Sequence, residues 1–152
     1  VSVSRSVCRV TREPLDAAAI LRDCVGPSDG AALLFWGVVR EEHAGRRVAS
    51  LEYEAYAEMA ELKMREIADE ARERWGTGDI HVVHRVGLLE VGDASVAIAV
   101  ASPHRAEAYE ASRYVVEELK RRVPVWKREG YVEGDRQWVP GHTPEVEATV
   151  EG

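Results

Sequence analysis

The chain has 152 residues, enough for one domain with a core of its own. Hydrophobic residues make up 45%, which argues against wholesale disorder, and no apolar run approaches the ~20 residues that a membrane-crossing helix needs. A net charge of -7 disfavours general nucleic-acid binding, whose affinity rests on phosphate contacts.

Val1–Val10 alternates Val with polar residues and reads as a half-buried strand. Arg5 and Arg9 interrupt its apolar pattern, unlike a signal peptide, so a cytoplasmic protein is expected. Pro14 to about Val25 reads as a helix, ended by Gly26-Pro27-Ser28-Asp29-Gly30. Ala31–Val39 is almost continuously apolar, which predicts a central strand buried on both faces, with a bulge or close backbone approach at Gly37. Arg40–Arg47 reads as a mobile loop. Val48–Tyr56 alternates, with Leu51 and Tyr53 on one face and Glu52 and Glu54 on the other, so the two strands are expected to form a long-looped hairpin.

Ala57–Trp75 carries one apolar stripe of Ala60, Met64, Ile67, Ala68, Ala71 and Trp75, and predicts a helix closed by Gly76 and Gly78. Ile80–Val86 and Ser95–Ala101 read as strands joined by a turn over Gly87–Ala94. Pro103–Val123 predicts a second long helix, with Ser102 as N-cap, Pro103 at the first helical position and Pro124 as the stop. Val125–Val132 and Gln137–Val139 are short extended pieces. The expectation is a single domain over residues 1–139 and a flexible C-terminal tail over 140–152.

Strands that pair before helices intervene favour the α+β class, with a largely antiparallel sheet and two long helices. Neither a G-x-G-x-x-G fingerprint nor a P-loop is present. Cys8 and Cys24 form no C-x-x-C pair and have no His at ligand spacing, so they read as idle thiols and no metal site is expected. His81 and His84 are three apart on a strand and point to opposite faces.

Two stretches carry unusual positive charge. Ser102-Pro103-His104-Arg105 opens a helix, where free backbone N–H groups and the positive dipole end attract anions. Cations there are disfavoured by ~0.3–1 kcal/mol unless something negative compensates them, and a bound phosphate would do so. The alternative is a solvated His-Arg pair. Lys120, Arg121, Arg122, Lys127 and Arg128 place five cations in nine residues with no acid among them. The first three also suit a helix C-terminus, but Lys127 and Arg128 lie beyond the Pro124 stop. Trp126 between them either packs inward or stacks on a flat ring. Arg40 ends the most hydrophobic strand. A compact basic site on an acidic chain suits a small anion or an acidic partner segment better than a long polyanion.

Phe35-Trp36-Gly37-Val38-Val39-Arg40, Leu51-Glu52-Tyr53-Glu54-Ala55-Tyr56 with Met59, Val83-His84-Arg85-Val86-Gly87, Leu89-Glu90-Val91-Gly92, Ser102-Pro103-His104-Arg105 with Ala108-Tyr109-Glu110-Ala111, and Leu119-Lys120 to Glu129 follow one another in the order of a known family. Over roughly Gly30 to Val139 the chain resembles the large, catalytic subunits of molybdopterin synthase. The resemblance implies an α/β-hammerhead fold and a sulfurtransferase of molybdenum cofactor biosynthesis. That enzyme converts cyclic pyranopterin monophosphate to the dithiolene molybdopterin. The sulfur donor it implies is the C-terminal Gly-Gly thiocarboxylate of a small ubiquitin-like carrier, in a heterotetramer built on a homodimer of the large subunit. The implied substrate-binding set is Val38, Val39, Arg40, His104, Arg105, Lys120, Lys127, Arg128 and Glu129, with Lys120 and Lys127 also catalytic. Position 38 is Val here, so only its backbone is left to contribute. The resemblance implies no metal and no cofactor, since the nucleophilic sulfur arrives on the partner.

Chemistry agrees with this set: two anions must meet, which needs nearby cations, and expelled oxygen needs a proton, which a crowded lysine can supply. Lys120 is expected as the proton donor or base, Lys127 as the group on the substrate or acyl intermediate, and Arg40, His104 and Arg105 as phosphate ligands. A rival reading is a non-catalytic module that binds an anionic ligand or a protein tail; a nucleic-acid binder is a more distant third.

Overall fold

The computed structural model describes residues 6–132, 134 and 136–142. Residues 1–5 of the expected first strand, and 143–152 of the expected tail, lie outside the described residues. Two sheets form the frame. The first has the order β1 (Cys8–Thr11), β5 (Ile80–Arg85), β7 (Ala94–Ser102), β2 (Ala31–Val38), and only its β1–β5 pair is parallel. The second has the order β3 (Glu42–His43), β4 (Arg46–Ala55), β8 (Val125–Tyr131), β9 (Arg136–His142), with β6 (Gly87–Glu90) also paired to β4. The fold is thus α+β with dominantly antiparallel pairing, as the sequence predicts.

Helices cover both faces of the first sheet. Ile80, Val82, Ile98 and Val100 share a core with α2 (Ala57–Trp75) and α3 (Arg105–Arg122). Val83, Ala97, Ala99 and Ala101 face the other way, onto Ile20 and Cys24 of α1 (Ala17–Cys24). Burial on both sides explains why all nine residues of β7 are buried. In α2 the predicted stripe Ala60, Met64, Ile67, Ala68 and Ala71 is fully buried, and Gly76 closes the helix at φ 65°, a left-handed conformation that favours glycine.

Several expectations need correction. The apolar strand Ala31–Val38 is not central: β2 is an edge, paired only with β7. Its run of apolar residues serves the helix layers on its two faces, with Leu33 packed on one core and Leu34 and Trp36 on the other. Nor does β2 form a hairpin with β4, since the two belong to different sheets. The expected loop Arg40–Arg47 folds as a small hairpin of its own, turned by Ala44 (φ 52°) and Gly45 (φ 79°). The expected turn Gly87–Ala94 contains β6, which carries the chain from the first sheet to the second. Ser102 does not cap α3. Its backbone is held in β7 opposite Ala31, the helix begins two residues later than expected, and the N-cap is His104, whose N–H donates to Ser102 Oγ at 3.4 Å. Finally, β9 reaches His142.

Candidate functional site

The site is built on the inner face of the second sheet. Side chains two apart on a strand share a face, so Lys127 and Glu129 of β8 project together. Their register partners across β4 are Tyr53 and Leu51, both buried. Above them the chain leaves β2 through a register shift at Gly37/Val38. Val39 is then fixed by two backbone bonds: its N–H donates to Asp93 O at 2.9 Å and its carbonyl accepts from Gly92 N–H at 2.9 Å. This brings Val38, Val39 and Arg40 to the same place as Lys127 and Glu129. With Glu42, His43, Val48, Leu51 and Tyr53 they line one open pocket.

Electrostatics gather three cations there. Lys127 is half-buried, and burial holds its ammonium below the usual lysine range. The charges of Lys120 and Arg40 push the same way, and Glu129 opposes them. Lys120 and Arg40 are therefore near enough to Lys127 to act on it, although they come from the end of α3 and the end of β2. Both are exposed, and neither they nor Lys127 form an ion pair among the described residues.

The other cations of the cluster are engaged. Arg122 binds Glu70 of α2 with two prongs, at 2.8 and 2.9 Å, and Glu118 at 3.2 Å, which clamps α2 to α3. This contact holds the Glu70 carboxyl down to about 2. Arg121 pairs with Glu118 at 2.6 Å. Arg128 lies on the outer face of β8, paired with Glu52 and stacked over Trp138 at 5.1 Å. It does not reach the pocket. Trp126 is on that outer face too, exposed beside Glu54, and does not pack inward.

His104 and Arg105 are also elsewhere within this chain. They are exposed at the start of α3, whereas Lys120 is at its end, about 24 Å away along the axis at 1.5 Å per residue. The chain thus brings together Val38, Val39, Arg40, Lys120, Lys127 and Glu129 but not His104, Arg105 or Arg128. Glu129 is only 2% exposed, and its carboxylate faces protein groups: the Tyr131 hydroxyl donates to it at 2.6 Å, and His43 Nδ1 lies 3.0 and 2.8 Å from its two oxygens. His43, Tyr131 and Tyr53 are site residues that the sequence reading missed. Alternation along β4 gave a signal for Tyr53; nothing local gave one for His43, which is separated from Glu129 by 86 positions.

The thiols are inert. Burial pushes Cys8 up to about 11 and Cys24 up to about 12, far from the thiolate that a nucleophile needs. Among the described residues no three His, Cys, Asp or Glu side chains gather as metal ligands, and no helix is long and apolar enough to cross a membrane.

Fold and pocket together define a class: a two-sheet α+β protein in which one half-buried and two surface cations, from three separate segments, gather at a small polar cleft on the second sheet. Residues 10–122 match the family described as MoaE protein, and the chain belongs to that family. It is 43% identical over 130 residues to the molybdopterin synthase catalytic subunit of Halalkalibacterium halodurans, covering 86% of this chain and 83% of that protein. It is 43% identical over 135 residues to the molybdopterin synthase catalytic subunit of Bos taurus, covering 89% and 71%. Among solved structures, molybdopterin synthase from Staphylococcus aureus superposes with a TM-score of 0.82 at 39% identity, over 87% of this chain and 96% of the other.

Proposed function

We propose that this chain is the catalytic subunit of a molybdopterin synthase, a cytoplasmic sulfurtransferase that converts cyclic pyranopterin monophosphate to molybdopterin. The observation that carries this reading is the gathering of Lys120, Lys127 and Arg40 around one pocket, in a chain so similar to proteins of that name. A catalytic subunit needs a companion. The companion proposed is a small ubiquitin-like carrier, whose C-terminal Gly-Gly thiocarboxylate enters the pocket and supplies sulfur.

The chemistry assigns the residues. A thiocarboxylate and a phosphate repel one another, and Arg40, Lys120 and Lys127 lower the energy of bringing them together. Sulfur attack expels an oxygen that must take up a proton. Lys127 combines the right position with an ammonium that gives up its proton more readily than a solvated lysine, which makes it the stronger candidate donor. Lys120, the donor expected from sequence, is exposed and suits binding of the incoming carboxylate and electrostatic support of Lys127. The Val39 backbone shapes the pocket wall. His104 and Arg105 serve as phosphate ligands only if a second copy presents its α3 N-terminus to this pocket, which fits the proposed homodimer within a heterotetramer. Residues 1–139 act as one domain in this reading, and the reaction uses no metal or cofactor.

Reconstitution tests the proposal. Incubated with thiocarboxylated carrier and cyclic pterin phosphate, the chain is expected to yield the dithiolene product while the carrier's thiocarboxylate becomes a carboxylate. A chain that binds the carrier tail but leaves its sulfur in place contradicts the enzymatic reading and favours a non-catalytic tail-binding module.

A further inference from the structure

A carboxylate that is 2% exposed is costly unless its oxygens are matched by donors. For Glu129 the donors come from two sides. Tyr131, two residues along β8, gives its hydroxyl at 2.6 Å. His43 reaches both oxygens from β3, a strand of only two residues. That strand is held by the pairings Glu42 to Arg47 and His43 to Arg46, and by Val48 N–H donating to Glu41 O at 2.7 Å. Arg46, directly across the hairpin from His43, lies over the Tyr131 ring at 3.6 Å. The hairpin is therefore fastened to β8 through His43 on Glu129 and Arg46 on Tyr131, and it forms one wall of the pocket. Glu129 in turn shares its face of β8 with Lys127 and its negative charge acts on that ammonium against Lys120 and Arg40.

We propose that His43 is a positioning residue: by gripping the Glu129 carboxylate it holds the β3–β4 hairpin closed against the pocket that Glu129 shares with Lys127. Glu129 then serves as an internal counter-ion and not as a substrate ligand, since its carboxylate is buried and turned to His43 and Tyr131. The proposal rests on the sulfurtransferase reading for its kinetic consequences but not for its structural ones. Lost positioning lowers the rate of the proton-dependent step more than it weakens substrate binding, because the phosphate ligands are untouched.

Three chains test this: the native one, His43→Ala, and His43→Asn, whose side-chain N–H2 can replace the imidazole Nδ1 donor. With thiocarboxylated carrier and pterin phosphate, His43→Ala is expected to lose about tenfold in kcat with KM changed less than about twofold, and His43→Asn to recover most of the loss. A 13C-lysine NMR titration of the Lys127 ammonium, which needs no substrate, is expected to move up in His43→Ala, because an opened hairpin relieves the burial that is the largest cause of its lowered value. His43→Asn should restore the native midpoint. An unmoved Lys127 midpoint in His43→Ala overturns the proposal, and so does an Asn chain as impaired as the Ala chain. If the native chain transfers no sulfur at all, the sulfurtransferase reading fails, and the titration still decides the role of His43.

Discussion

At the scale of single residues, burial decides which groups are chemically available. His84 is fully buried, edge-on to Tyr53 with ring centroids 5.2 Å apart, and burial pushes its imidazole down to about 4. The unfolded chain takes up that proton near 6.5, the folded chain only near 4, so folding is favoured fully above about pH 6.5 and progressively less as pH falls towards 4. The full loss is on the order of 3 kcal/mol. Urea midpoints are expected to drop between pH 7.5 and pH 5, and the drop should shrink in His84→Gln. An equal drop in both chains shows that other groups carry it. The same scale shows what sequence can give. Alternation along β4 placed Leu51 and Tyr53 on one face, and the structure extends the same rule to β8, where Lys127 sits with Glu129 and Arg128 turns away. Arg128 was implied as a site residue by the family resemblance, whereas within this chain it pairs with Glu52 on the opposite face. No local pattern links His43 to Glu129, because that contact depends on where the β3–β4 hairpin folds back.

At the scale of elements, the bend out of β2 aims the site. A Cβ at Gly37 would lie 2.7 Å from Val96 Cγ1 and 3.4 Å from the Phe35 ring, so Gly37→Ala must push β2 away from β7 at the register shift that leads to Arg40. Overpacking of this kind costs about 1–3 kcal/mol. The expected result is a Tm lower by roughly 3–10 °C, read by calorimetry, together with weaker pterin phosphate binding. A chain with native Tm and native binding contradicts the argument. Gly37 was legible as a bulge from sequence, as were α2, α3 and the Gly76 stop, since each depends on local periodicity or on one residue's conformational range. Strand partners were not legible. The apolar run of β2 looked central because it is covered by helices on both faces, a feature that burial alone cannot distinguish from having two neighbouring strands. The late start of α3 has a similar cause: pairing of Ser102 with Ala31 outweighs its preference for capping.

At the scale of the whole molecule, one chain carries most of a cationic pocket while His104 and Arg105 sit at the far end of α3. If two copies complete each other's sites, Arg105→Ala and Lys127→Ala chains should each be weak alone. Mixed and reassembled, they should recover about a quarter of native activity, since half the dimers are mixed and each of those has one intact site of two. No recovery above the sum of the separate variants contradicts sharing of Arg105 between the two copies. In the proposed reaction Lys127, tuned by its neighbours, moves the proton that lets sulfur replace oxygen. The direct test is a single turnover of Lys127→Ala and Lys127→Arg with thiocarboxylated carrier, followed by mass spectrometry of carrier and pterin. Transfer is predicted to slow at least about 100-fold in both, because arginine keeps the charge but does not release a proton. Native rates in Lys127→Arg would contradict proton transfer by this residue, and native rates in Lys127→Ala would remove it from the reaction altogether.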